Sequence, residues 1–478
     1  MSRASCRCGP LLPALLVALA ASCAASSRPA FHVSEDAYLN TPERVQKYGY
    51  PVEEHWVTGE TGYVMRVFRV PRGRPQSQKQ AQPPDSARPA IYLQHGVVAS
   101  SDIWLLLGEK SFRGVREHAG TAGGTHELLD GRPRGISRAV LGAAVMDCAA
   151  GPGGGSSPPS GVAFVLADAG YDVWLGNARG NVYSTNHTRL DPNSEEFWQF
   201  SWHESGMEDL PAVVDYVLQQ TRRPGLVYVG HSMGGTMFYV LASLRPEYSR
   251  KVRAAFLLAP AVFMSDLYSP PLRAAAPLAQ SIAVASRALL KGRTPPLSLP
   301  VGHPATLLPA VVAYSVLAGF SDLEDDHLTM AVYLTHVSQG GSLRQAVHYA
   351  QEILSGHFRQ FDYGRAGNMR RYGRATPPDY PLEKVAIPHM VMYGDDDWYV
   401  SMQDVKRLQD ALPKNIVEMY RVPEVGFTHM DFMWGRNARR LIYDKILASI
   451  VNTEPPIDER SLRKRRSKRS NAEGKRRD

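Results

Sequence analysis

Leu226-Val227-Tyr228-Val229-Gly230-His231-Ser232-Met233-Gly234-Gly235 decides the fold. Four apolar residues rich in β-branched and aromatic side chains read as a buried strand. A helix is expected to begin at Met233. Between them lies G-x-S-x-G, the pattern in which a serine occupies a sharp strand-to-helix turn. The glycines let the two backbones approach without a Cβ clash. The turn then offers the serine hydroxyl at the end of a sheet, where a base can reach it. The bland alternative is a glycine-rich turn that only packs a helix on a strand.

Working outward, the same strand-helix alternation recurs on both sides. The stretch 55–70 alternates apolar and polar residues around Gly59 and Gly62 and predicts a β-hairpin. Strands are expected at 90–94, 171–175, 226–229, 254–258, 389–393 and 416–422, and helices at 204–221, 401–412 and 437–451. Between 260 and 381 the sequence reads as helical and loop-rich, with no clear strand. This pattern predicts an α/β fold, a mostly parallel sheet with an inserted helical cap. No internal repeat is visible.

Composition agrees with a globular chain. Its 478 residues are 44% hydrophobic and 21% charged, which excludes collagen-like and wholly disordered chains. The net charge of +8 would suggest nucleic acid, but from Arg460 onward ten Lys/Arg face only Glu473 and Asp478. The tail therefore carries the whole excess, the rest is neutral, and no nucleic-acid partner is expected. The runs at 463–466 and 466–469 resemble convertase cleavage sites as well as a solvated basic tail.

At the other end, Arg3 and Arg7 precede an apolar run at 11–21 and small residues at 21–27, which reads as a signal peptide over 1–25. The run is too short for a transmembrane helix of about 20 apolar residues, and no later stretch is long and apolar enough to span a membrane. An N-terminal anchor is the alternative. Cys6, Cys8 and Cys23 lie in or beside this segment, so Cys148 alone would remain after cleavage, with no internal disulfide. Residues 74–89 read as a polar surface loop. Residues 109–161 are rich in Gly, Arg, Ser and Pro and read as an atypical insertion of little order.

A serine needs a base, and the base needs an orienting carboxylate, in this fold in the order Ser, acid, His. The strand at 389–393 runs into Asp395-Asp396-Asp397-Trp398, which offers three acids. His429, in Phe427-Thr428-His429-Met430-Asp431, lies before the last helix and fits the base. Backbone N–H groups for the oxyanion should come from Met233 and from the residue after His95-Gly96, which is Val97. Asn186-His187-Thr188 is a glycosylation sequon.

Lys47-Tyr48-Gly49-Tyr50-Pro51, LQHGVVASSDIW from Leu93, LADAGYDVWLGNARGN from Leu166, GHSMGG from Gly230, YGDDDW from Tyr393 and HMDFMWG from His429 together resemble the acid lipases of the lysosomal and gastric kind. The invertebrate secreted and digestive members look closest. The resemblance runs from about residue 37 to 451, interrupted at 74–89 and 109–161. It implies an α/β-hydrolase fold and hydrolysis of long-chain fatty acid esters, triacylglycerol or sterol ester, at a lipid-water interface. No metal and no cofactor are implied. On the motifs, Ser232 matches the nucleophile, Asp397 the acid, His429 the base, and Val97 and Met233 the oxyanion positions. Met233 departs from the glutamine usual in the family, but a backbone donor survives that change.

The expected organisation is a signal peptide at 1–25, a core at 28–260 and 386–452, a cap at 261–385 and a basic disordered tail at 453–478. A secreted or lysosomal location follows from the signal peptide and the resemblance. The competing functions are a catalytically silent lipid-binding protein of the same fold and an esterase for small soluble esters.

Overall fold

The computed structural model describes residues 33–74, 88–106, 161–297, 306–307, 310–311, 318 and 327–453. The signal peptide, all four cysteines, most of the 109–161 insertion and the basic tail lie outside the described residues.

Eight strands form one sheet in the order β1-β2-β4-β3-β5-β6-β9-β10. They are β1 (Glu53–Thr58), β2 (Val64–Val70), β3 (Ala90–Gln94), β4 (Asp172–Leu175), β5 (Leu226–His231), β6 (Val252–Leu258), β9 (His389–Tyr393) and β10 (Val417–Arg421). The β1-β2 hairpin is antiparallel and β2 joins β4 antiparallel. From β4 through β3, β5, β6 and β9 to β10 every pairing is parallel. A parallel sheet needs crossovers that cover both faces, so its strands must be apolar on both sides. The residues obey this. Ile91, Leu93, Val227, Val229, Phe256 and Met390 pack into one core. Tyr92, Leu226, Tyr228, Ala255, Leu257 and Val391 pack into the other.

Between β6 and β9 the described chain is mainly helical, with Pro270–Ala275, Ala279–Leu290, His327–Leu334, Leu343–Ser355 and Gly364–Tyr372. One feature departs from the strandless reading of 260–381. A two-residue ladder pairs β7 (Arg293–Thr294) with β8 (Gly341–Ser342). Two residues are too few to produce an alternation that sequence could reveal.

The parallel strands bring their carboxyl ends to one edge of the sheet, where ligands of open α/β sheets bind. Residues 95–98 follow β3, Ser232 follows β5, Asp395 to Asp397 follow β9, and His429 lies beyond β10. At the same edge the described chain stops at Leu106 and resumes at Gly161. A Cβ on Gly161 would lie 2.9 Å from the Trp104 carbonyl oxygen, so the two ends are neighbours.

Candidate active site

Ser232 separates β5 from the helix Met233–Leu244 with φ 54° and ψ −115°, a conformation that costs a non-glycine residue roughly 1–3 kcal/mol. The surroundings enforce it. The Ser232 N–H donates to Leu258 O at 2.9 Å, and the Ser232 carbonyl accepts from the Gly235 N–H at 2.8 Å. A Cβ on Gly234 would sit 2.3 Å from Gln94 O, and one on Gly235 would sit 2.4 Å from Pro260 Cβ. The helix start is therefore wedged between the ends of β3 and β6, and only glycine fits. Gly235 is a requirement that the five-residue pattern did not specify.

Met233 opens that helix, so its N–H belongs to the first turn, which has no acceptor within the helix. Its side chain is buried, and Gln345 Nε2 donates to its sulfur at 3.5 Å. Gln345 Oε1 in turn accepts from the Ser342 N–H at 3.1 Å, in the capping box of helix Leu343–Ser355.

Val97 is half-buried in the turn after β3. Its neighbour Gly96 is pressed on Ser232, since a Cβ there would lie 3.0 Å from Ser232 Cβ. A buried polar web holds this turn. His95 Nε2 accepts from the Ala178 N–H at 3.0 Å, which leaves the proton on Nδ1 to donate to Gly96 O at 2.7 Å. Burial pushes the His95 imidazole down to about 4, so it stays neutral. Asn181 Nδ2 donates to Ala99 O at 3.2 Å and to Asn177 Oδ1 at 2.9 Å, while Asn177 Oδ1 also accepts from the Ser101 N–H at 2.9 Å. Neither asparagine stood out in the sequence except as a letter of the GNARGN stretch.

The three aspartates after β9 take three different tasks. Asp395 accepts from the Gly426 N–H at 3.0 Å and pairs with Arg421 at 3.0 Å. Asp396 accepts from Trp398 Nε1 at 3.3 Å. Asp397 is buried, and its Oδ2 lies 2.7 Å from His429 Nδ1. The Tyr399 and Val400 N–H groups both donate to Asp397 Oδ1 at 2.8 Å. With the carboxylate so satisfied, Nδ1 carries the His429 proton and Nε2 is left to accept one. The Tyr399 ring stands edge-on to the imidazole at 4.8 Å.

The turn that holds Asp397 and the loop that holds His429 touch through backbone. A Cβ on Gly394 would lie 2.0 Å from Phe427 O, and the Asp396 N–H donates to the same oxygen at 3.3 Å. Beside His429, the Thr428 N–H and Oγ1 both donate to Asp431 Oδ2 at 2.8 Å. The elbow meets this loop at His231, whose ring lies 4.8 Å from that of His429. Ser232 Oγ itself forms no hydrogen bond to His429 among the described residues, and such bonds are often loose without substrate. Also among the described residues, no three His, Asp or Glu side chains gather as a metal site, and no helix is long and apolar enough to cross a membrane. Asn186 is exposed on the loop that pairs with Val64.

A strained serine, a buried carboxylate–imidazole pair and helix-start N–H groups at one sheet edge suit acyl transfer. Comparison with known proteins agrees. Residues 144–435 match the alpha/beta hydrolase fold family, and residues 41–108 match a partial alpha/beta-hydrolase lipase region. The chain is 34% identical to Lipase 3 of Drosophila melanogaster, over 86% of this chain and 93% of that one. It is 33% identical to Lipase 1 of the same organism, over 91% and 85%. It is 28% identical to gastric triacylglycerol lipase of Rattus norvegicus, over 87% and 92%.

Proposed function

The chain belongs to the lipases of the α/β-hydrolase fold, and we propose that it is a secreted or lysosomal serine lipase that cleaves neutral lipid esters through an acyl-enzyme. Ser232 Oγ attacks the ester carbonyl while His429 Nε2 takes its proton. Asp397 keeps the imidazole in the right tautomer and stabilises its charged form. The N–H groups of Val97 and Met233 hold the developing oxyanion. His429 then gives its proton to the departing alcohol, and a water activated by the same imidazole releases the fatty acid. The chemistry needs no metal or cofactor.

The observation that carries this reading is the buried 2.7 Å contact of Asp397 with His429, at the sheet edge that also holds Ser232 in its strained turn. Residues 261–385 act as the cap. Within it Leu307, Val311 and Ala318 are buried apolar residues suited to an acyl-binding wall. Triacylglycerol and sterol ester are both within this substrate class. Glycosylation at the exposed Asn186 accompanies passage through the secretory route.

Hydrolysis of a long-chain and a short-chain ester by the wild-type protein and Ser232→Ala tests the reading, together with fluorophosphonate labelling. Long-chain turnover that rises at an emulsion surface and is lost in Ser232→Ala supports it. A protein that takes no label and turns over neither ester is a lipid binder instead. Turnover of the short ester alone makes it an esterase.

A further inference from the structure

His231 precedes the elbow serine, and the triad reading gives it no task. It ends β5, is buried, and touches two other parts of the site. Its Nε2 lies 3.0 Å from the carbonyl oxygen of His429. A carbonyl can only accept, so Nε2 bears the proton and Nδ1 is bare. That bare nitrogen is buried and has no hydrogen-bond partner among the described residues. It faces the oxyanion turn, since a Cβ on Gly96 would lie 3.4 Å from it. Filling space does not explain this arrangement. An apolar side chain of similar volume would pack there without an unpaired buried nitrogen. The imidazole also stays neutral, because burial, followed by the neighbouring His429, pushes its protonation far below the usual range. A second charge beside the catalytic imidazolium is thereby avoided.

Resting on the triad reading above, we propose that His231 is a positioning residue. Its Nε2–H pins the His429 backbone, so that the base is held against the serine whose own peptide His231 anchors. The side chain thus sets the distance between nucleophile and base from the strand itself, while Asp397 sets the rotation of the imidazole from the other side.

Glutamine and asparagine separate this role from packing. The glutamine amide reaches about as far as Nε2, whereas asparagine stops near Nδ1. The full-length protein is assayed on a soluble p-nitrophenyl short-chain ester, with fluorophosphonate capture measured in parallel. His231→Met should lower kcat about tenfold with KM unchanged, and slow capture equally, as expected for loss of one positioning hydrogen bond. His231→Asn should resemble it, and His231→Gln should recover to within about threefold of wild type. Wild-type kcat in His231→Met overturns the proposal, as does a His231→Gln variant as slow as His231→Asn at equal thermal stability. If the methionine variant does not fold, the glutamine–asparagine comparison decides alone. Ser232→Ala keeps the two ideas apart. Activity surviving in that variant removes the triad reading, whereas its loss alongside a fully active His231→Met removes only the positioning role.

Discussion

His429 Nδ1 and Asp397 Oδ2 stand 2.7 Å apart with both side chains buried, while Asp395 and Asp396, two positions and one position earlier, are only partly buried and turn to other partners. Three chemically identical neighbours are thus separated by environment alone. Asp397→Asn should reduce kcat by roughly 10⁴, because an amide presents a donor where the imidazole needs an acceptor. Asp395→Asn and Asp396→Asn should stay within about tenfold of wild type, since each loses only a loop contact. Steady-state kinetics on the three variants check this, and an inactive Asp395→Asn with an active Asp397→Asn reverses the assignment.

Ser232→Ala should lose on the order of 10³-fold or more of ester hydrolysis, since nucleophile and base act as a unit. The strained φ of 54° is imposed by Leu258, Gly235 and their neighbours and not by the hydroxyl. The variant should therefore keep the wild-type circular dichroism spectrum and melting temperature. Near-wild-type turnover in a folded variant refutes the nucleophile.

Gly394→Ala should separate the acid from the base. Its Cβ would meet Phe427 O at 2.0 Å, and backbone must yield. A displacement of about 1 Å at the base costs on the order of 10² in rate. Gly426→Ala is the control. Its φ is +78° but nothing lies within 4 Å, so it should cost about 1 kcal/mol of stability with little change in kcat. Equal effects of the two substitutions on kcat would contradict this.

Glu352 predicts a pH dependence. It sits in helix Leu343–Ser355 at 1% exposure, with neither carboxyl oxygen hydrogen-bonded among the described residues. Burial, and then the charge of Asp404, hold its protonation well above the ordinary carboxylate range; Tyr349 and Tyr380 also feel its charge. The folded protein therefore keeps this proton to higher pH than the unfolded chain does. The resulting stability is complete below the unfolded value of about 4.3 and is lost as pH rises through the folded value. Between acid and neutral pH the wild-type melting temperature should fall by about 2 °C or more relative to Glu352→Gln. Parallel melting curves for the two proteins across that range would contradict it.

Replacing 107–160 by a short Gly-Ser bridge should leave the core folded and ester hydrolysis intact. Gly161 already lies against Trp104 and Leu105, so the shorter loop closes without moving either end, and shortening a loop lowers its closure entropy. Melting temperature and kcat check this. Loss of the folded state would make the segment part of the core.

The site was legible where a residue's place depends on local pattern. The serine turn follows from glycines flanking it after an apolar run, and the acidic turn and His429 follow from their order behind it. Legibility ended where three-dimensional neighbours decide. Residue types alone did not distinguish Asp397 from Asp395, because the choice depends on which carboxylate the turn buries. The resemblance to known lipases supplied it. His231 reads as a free letter of the motif, since its partner is a carbonyl 198 positions away. Asn177, Asn181 and Gln345 look like ordinary polar residues, because their worth lies in satisfying backbone groups of distant turns. Gly394 resembles any strand-end glycine until the Phe427 carbonyl is seen above it. The mostly parallel sheet was readable from apolar runs, but the β7-β8 ladder was too short.

The contact between Gly394 and Phe427 also bears on inheritance. Asp397 and His429 follow adjacent parallel strands, β9 and β10, and their loops meet through backbone atoms that no side-chain substitution can replace. Residues 389–434 are therefore a cassette. Drift in either loop is tolerated only when the other follows, whereas the serine turn, carried by a strand on the far side of β6, meets this block through the side chain of His231. Recombination between relatives should find its viable crossovers outside this block, and a designer transplanting the acid–base pair into another sheet would have to move both strands together.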